Sequence, residues 1–375
     1  MAIVLVTAHL GRHFRIFGHY DYKVLLDMGH EVHIAANFKY DLDQFEDGRV
    51  IKHQVDFDRN PLGISNFKAF RQLKNLFRSV HFDLVHCQSP SGGAITRLAT
   101  RSIRKKGTKV LYTAHGLHFF KGAPLKNWIL YYGIEKLLGR LTDCIITINK
   151  EDFEASKNKL KINKVEHING VGINLDKYQP QSKERKEHLR KKYGYNQNNF
   201  IIVYVGELSY RKQQSLIINS AAILNDKIGD LKILLVGVGE LESEYKKMVK
   251  ELGLEGIVNF MGYRNDVPDL MMLSDIAVSA SRQEGLPVNI MEAMATGLPL
   301  VVTNCRGNRD LVEDGINGYI VDIDDSISFS KAVIRLYNSK SLRESFKKEN
   351  VQLIKKYSLD KIKKEMERIF SDILK

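Results

Sequence analysis

The chain has 375 residues, 43% apolar and 27% charged, with a formal net charge of +13. A chain of that size and composition builds sizeable cores without disulfides and has room for two domains. No apolar run approaches the ~20 residues of a bilayer span, and Cys87, Cys144 and Cys305 lack metal-ligand spacing and read as plain thiols of a reducing compartment.

In chain order, Ile3–Thr7 is an apolar run with no basic region before it and no cleavage site after it, a first strand rather than a signal peptide. Glu31–Ala36, Leu84–His86, Lys109–Thr113 and Cys144–Ile148 read as further buried parallel strands. Helical periodicity falls between them, over Phe14–Met28, Asn66–Ser79, Gly92–Lys105 and Leu125–Leu141. The polar stretch 179–199 interrupts this rhythm, and the domain boundary is expected near 178–198. Strands resume at Phe200–Val205, Leu231–Val236, Ile257–Phe260, Ile276–Ser279, Leu300–Thr303 and Gly318–Val321. The tail spaces Ile362, Met366, Ile369, Phe370 and Leu374 as one helix face. The expected fold is α/β, with two doubly wound parallel-sheet domains, 1–178 and 179–356, facing a cleft, and the helix of 357–375 packing back on the first.

The densest pattern is Ser281–Gly318, SRQEGLPVNIMEAMATGLPLVVTNCRGNRDLVEDGING. A tight turn, Glu284-Gly285-Leu286-Pro287, leads into a helix with proline suited to its first position and with unpaired N–H groups that can hold a diphosphate. Glu284 and Glu292, with seven residues between them, are acceptors for vicinal sugar hydroxyls. Alone, such a pair would be a turn charge and a solvated helix residue. In order and spacing, however, Glu292–Pro299 and Gly307–Gly318 resemble the donor-site block of the family 4 glycosyltransferases, retaining enzymes of GT-B fold. The resemblance implies that Glu284 binds hydroxyls of the donor sugar, Glu292 those of the ribose, and the backbone around Gly285, Leu286, Pro287 and Val288 the diphosphate.

Val205–Lys212 is similar to the family's second donor loop, which carries an arginine and a lysine. Gly206 opens it and Lys212 stands at the lysine position. Glu207 occupies the arginine position, and Arg211 is either its replacement or a solvent-facing residue. In the first domain, Gly11 is a soft candidate for the donor phosphate. The segment His115-Gly116-Leu117-His118-Phe119-Phe120-Lys121-Gly122-Ala123-Pro124 resembles bacterial capsule and exopolysaccharide transferases. That likeness puts His115 beside the donor sugar and His118 and Lys121 at the acceptor, with His115, Lys212 and Glu284 as the catalytic set.

The three D-x-D strings, 41–43, 56–58 and 322–324, read as incidental, so no metal and no other cofactor is expected and activity should survive EDTA. Residues 1–180 hold 27 Lys and Arg against 17 Asp and Glu, while the remainder holds 30 against 27. That asymmetry, with basic helices at Asn66–Ser79 and Thr96–Lys109, suggests an anionic membrane surface, although an apolar helix stripe is more often core. No nucleic-acid motif accompanies the charge.

The expected activity is retaining transfer of a hexosyl or N-acetylhexosaminyl group. A UDP-sugar is the donor, and a hydroxyl of a polyprenyl-diphosphate-linked oligosaccharide is the acceptor, in cell-surface polysaccharide synthesis. The expected location is cytoplasmic, peripheral on the inner face of a bacterial plasma membrane. The rival readings are a UDP-sugar epimerase of the same plan and a catalytically silent anion-binding or nucleic-acid-binding protein.

Overall fold

The computed structural model describes residues 1–39, 45–58, 60 and 63–375. It divides into two compact units, Met1–Gly172 with Leu359–Lys375, and Ile173–Ser358. Residues 173–178, grouped with the first domain in the sequence reading, go with the second unit.

The first unit runs β1 (Ile3–Leu10), α1 (Arg12–Phe17), α2 (Tyr22–Asp27), β2 (Glu31–Asn37), β3 (Ile51–Gln54), α3 (Ser65–Ser79), β4 (Leu84–Gln88), α4 (Pro90–Thr100) and β5 (Lys109–Ala114). It continues through α5 (Leu125–Asn127), a π-helical turn (Trp128–Tyr132), α6 (Gly133–Leu138), β6 (Cys144–Thr147), α7 (Lys150–Lys159) and β7 (Lys164–His167). Its sheet order is β3-β2-β1-β4-β5-β6-β7, parallel throughout, with Val4 beside Val32 on one flank and beside Leu84 on the other.

The second unit runs α8 (Lys183–Lys192), β8 (Phe200–Val205), α9 (Gln214–Asn225), β9 (Leu231–Val236), α10 (Glu242–Glu251), β10 (Val258–Gly262), α11 (Val267–Leu273) and β11 (Ile276–Ser279). There follow α12 (Val288–Thr296), β12 (Leu300–Thr303), α13 (Arg306–Leu311), β13 (Gly318–Val321), α14 (Ser326–Asn338) and α15 (Lys340–Leu353). Its parallel order, β10-β9-β8-β11-β12-β13, repeats the inner plan of the first sheet. The last helix, α16 (Leu359–Ile373), buries Ile362, Met366, Ile369 and Phe370 in the first unit, where Phe370 meets the His86 ring edge-on.

In each sheet the strand order reverses between two neighbours, β1 and β4 or β8 and β11, and loops leaving their carboxyl ends diverge to make a ligand crevice. Several expected elements differ in detail. The helix expected over Phe14–Met28 is two helices, because a Cβ on Gly18 would lie 2.0 Å from the Tyr22 ring and Asp21 caps α2. The helix expected to reach Lys105 ends at Thr100, so the basic helix over Thr96–Lys109 does not exist as one element. In α3 the apolar stripe is core, with Ala69, Leu73 and Phe77 buried, although Phe67 is exposed beneath Arg71. Pro287 immediately precedes α12 rather than opening it.

Candidate active site

In the second unit, the loops after β8 and β9 approach closely, since a Cβ on Gly237 (φ 140°) would lie 2.0 Å from the Gly206 carbonyl oxygen. The chain then passes Glu207, whose side chain is exposed, and reaches Arg211 and Lys212. Lys212 Nζ donates to Glu284 Oε1 at 2.6 Å, and an Arg211 guanidinium nitrogen donates to Glu284 Oε2 at 3.2 Å. The Arg282 N–H donates to the Arg211 carbonyl at 2.9 Å, which joins the two loops. Burial pushes the Glu284 carboxyl up, but Lys212 and Arg211 outweigh it and hold the group below its ordinary value. Sequence placed Glu284, Arg211 and Lys212 in one site, and the structure brings them into direct contact.

Beneath the turn of Glu284–Pro287 lies α13. The buried Arg306 donates from Nε to the Glu284 carbonyl at 2.8 Å. A Cβ on Gly307 would lie 2.6 Å from the Gly285 carbonyl oxygen, so only glycine lets the helix support the turn this closely. Asn289 Nδ2 donates to the Val205 carbonyl at 2.7 Å, tying α12 to the end of β8. The first bonds of α12 run from Ile290 and Met291 to the Pro287 carbonyl, so the N–H groups of Val288 and Asn289 lie ahead of the helical ladder. Glu292 lies one turn on. Burial pushes its carboxyl up to about 7, against a hydrogen bond from Tyr178 and the charge of Lys177.

Two of the D-x-D carboxylates, Asp56 and Asp324, are engaged by cations. Asp324 accepts both arms of Arg282 at 2.7 Å, and Asp56 accepts Lys39 at 2.8 Å and Lys68 at 2.6 Å. Asp41 and Asp43 lie outside the described residues. Among the described residues, no three or more His, Cys, Asp or Glu gather as a metal-binding group.

The first unit places the His115 ring at the end of a buried relay. Gln88 Nε2 donates to Asp21 Oδ2 at 2.5 Å, which fixes the amide orientation. Gln88 Oε1 then accepts from Tyr20 Oη at 2.8 Å and faces His115 Nε2 at 2.6 Å. An amide oxygen only accepts, so the proton of His115 sits on Nε2. Burial, with His13 and His86 nearby, pushes the imidazole down to about 3, so the ring is neutral and keeps an acceptor lone pair at Nδ1.

Gly11 directly precedes α1 and donates its N–H to the Asn37 carbonyl. His118 stacks on Tyr131, centroids 4.6 Å apart, and the two rings line a cavity of about 420 Å³ with His9, Pro90, Ala94 and Glu135. Glu135 is held bidentate by the fully buried Arg97 at 2.7 and 2.8 Å. Lys121 is not part of that lining; its side chain is exposed and its N–H donates to Glu151.

Sequence reasoning missed Tyr178, Arg306, Asn289 and the Asp21–Gln88–Tyr20 relay. Arg306 had a signal, standing just before the glycine of a recognised block. Tyr178 had none, because it comes from the segment before the polar join.

Known proteins resemble the chain in both units. Residues 185–352 match the family described as glycosyl transferases group 1, and residues 22–173 match glycosyltransferase family 4. The chain is 38% identical to the putative glycosyltransferase EpsD of Bacillus subtilis over 98% of its length and 96% of the relative's. It is 29% identical to the UDP-Gal:alpha-D-GlcNAc-diphosphoundecaprenol alpha-1,3-galactosyltransferase of Escherichia coli, over 76% of its length and 74% of the relative's. The crystal structure of Anabaena HepE in complex with UDP and glucose superposes with a TM-score of 0.80 at 20% identity, covering 99% of this chain and all of that one.

Proposed function

The chain belongs to the family 4 glycosyltransferases of GT-B fold, and on that premise we propose that it moves a hexosyl or N-acetylhexosaminyl group, with retention, from a UDP-sugar to a sugar hydroxyl of a lipid-linked oligosaccharide. The product belongs to cell-surface polysaccharide synthesis. The observation that carries this reading is the contact of Lys212 and Arg211 with the buried Glu284, beside the open N–H groups of α12. It sets two cations and a helix start where a diphosphate needs charge, and a carboxylate where a sugar needs an acceptor. The Escherichia coli relative named above acts on a diphosphoundecaprenol-linked sugar with UDP-Gal, and the Anabaena structure holds UDP; both support the donor and acceptor classes proposed.

When the donor binds, its diphosphate takes over Lys212 and Arg211 from Glu284, and the released carboxylate accepts hydroxyls of the transferred sugar. Glu292 accepts the ribose hydroxyls. The C–O bond to the leaving phosphate breaks as the acceptor hydroxyl attacks from the same face, and the leaving phosphate oxygen takes the hydroxyl proton. Stabilisation of that developing charge comes from Lys212, Arg211 and the Val288 and Asn289 amides. His118 and the cavity it lines hold the acceptor sugar, and the exposed Lys121 meets the acceptor outside that lining. His115 offers its Nδ1 lone pair to a sugar hydroxyl, and Gly11 gives the first helix a close start. Transfer needs no metal, so rates measured with EDTA equal those without it.

The direct test is a donor panel read by UDP release, with Lys212→Ala and Glu284→Ala beside the wild type. Each variant is expected to lower turnover at least ~100-fold, the scale of a lost oxyanion donor. Near-normal rates in both, or no nucleotide sugar binding at saturation, defeat the reading.

A further inference from the structure

One wall of the His118 cavity is the carboxylate end of a buried ion pair. Arg97 is fully buried and turned away from the cavity. Its Nε donates to the Gly93 carbonyl at 3.1 Å, its terminal nitrogens donate to the two oxygens of Glu135, and its guanidinium carbon lies over the Tyr112 ring, 3.9 Å from the centroid. Glu135, by contrast, lines the cavity, and its side chain keeps 10% of its exposure. Each oxygen bonds one guanidinium nitrogen and retains a lone pair for a further donor. Taking two charges out of water is offset only when the remaining lone pairs also find partners, and well-packed apolar side chains would serve a purely structural wall as well. Around Glu135 that wall is mostly apolar, with Pro90, Ala94, Ile134 and the Tyr131 ring. Tyr131 comes from the π-helical turn that leads into α6, a feature that recurs at functional sites.

We infer that Glu135 selects the acceptor sugar, taking hydrogen bonds from ring hydroxyls or an acetamido N–H, so that the cavity admits a neutral hexoside and rejects a hexuronate. Arg97 is the positioning residue that holds the carboxylate in place. A sugar offers C–H faces to the Tyr131 ring and the aliphatic wall, and donors to the acceptor-only carboxylate. A hexuronate carboxylate at the same spot would set two acceptor-only groups of like charge against each other, which leaves both without a donor. The assignment rests on the proposed function, which puts the acceptor sugar in this cavity, and adds the class of that sugar.

Its test needs no donor. The full chain is titrated with methyl N-acetylglucosaminide, methyl galactoside and methyl glucuronide, and binding is read by saturation-transfer NMR. At least one neutral glycoside is expected to bind about tenfold or more tightly than the glucuronide, given the cost of opposed like charges. Glu135→Gln should weaken that glycoside about tenfold or more, the scale of a lost hydrogen bond to a charged group, and shrink its lead over the glucuronide. That variant leaves Arg97 without its counter-charge and costs stability. A second variant, Arg97→Met with Glu135→Leu, therefore removes both charges at similar bulk, an exchange that buried pairs commonly tolerate. It should unfold thermally as one cooperative species and lose the same preference. A wild-type chain that binds no glycoside, or binds the glucuronide as tightly as the neutral ones, overturns the inference, and so does a folded variant of either kind that keeps the wild-type preference. The proposed transfer still stands in those cases if the donor panel releases UDP. A donor panel without UDP release, beside an intact glycoside preference, would strike only the donor reading.

Discussion

Glu292 is a glutamate whose proton is lost near neutrality rather than near 4.5, because burial outweighs the Tyr178 hydrogen bond and Lys177. Ribose hydroxyls need the ionised form as their acceptor, so UDP affinity is expected to rise with pH and level off above about 7. Below that, affinity falls about tenfold per pH unit. Stability moves the other way. Between the unfolded value of 4.5 and the folded value of about 7 the folded chain holds the extra proton, so this group's contribution is full below 4.5 and fades as pH rises through 7. Calorimetric titration of UDP and urea unfolding across that range should show both slopes in the wild type and neither in Glu292→Gln; a flat affinity profile in the wild type refutes the assignment. At this scale the sequence disclosed the side chains from which the proposed donor site is built, because Glu284, Glu292 and Lys212 stand in a spaced pattern. It hid those that tune them. Tyr178 approaches Glu292 from far off in the chain, and the tautomer of His115 depends on Tyr20, Asp21 and Gln88, which reach it from two other segments.

The turn from Glu284 to Pro287 keeps its shape because α13 presses a glycine against it. Gly307→Ala would place a Cβ 2.6 Å from the Gly285 carbonyl, and backbone cannot yield as a flexible side chain would. The expected result is a donor KM raised about tenfold or more by a displacement of the α12 amides. Steady-state kinetics check this, and unaltered donor binding would show that the turn does not depend on its support. Buried strands were the most legible elements, since β1, β8, β9 and β11 each carry an unbroken apolar run. The edge strands β3, Ile-Lys-His-Gln, and β7, Lys-Val-Glu-His, were not foreseen, because a strand with one neighbour and a largely solvated side carries no such run. The break between α1 and α2 was marked only by Gly18 and Asp21, yet it is what turns Tyr20 and Asp21 inward to the His115 relay.

Across the whole chain, the repeated strand rhythm revealed two doubly wound sheets, and the tail's spacing revealed a helix with one buried face. Removing Leu359–Lys375 strips Ile362, Met366, Ile369 and Phe370 from the first unit. Four such side chains contribute about 6–12 kcal/mol, as much as the whole stability of a typical domain. The truncated chain should therefore lose the first unit's amide protection in hydrogen exchange while residues 173–358 keep theirs; full protection of both would contradict the burial.

The two ends of the second unit have one more property. Ile173 and Ser358 pair side by side as a parallel bridge, and the Ile173 N–H reaches the Tyr357 carbonyl at 2.9 Å. The two covalent crossings thus leave from a single spot, as the two ends of a cartridge share one socket. Cutting there and grafting the corresponding stretch of a relative interrupts no strand of either sheet, so residues 173–358 form a single piece that recombination can exchange.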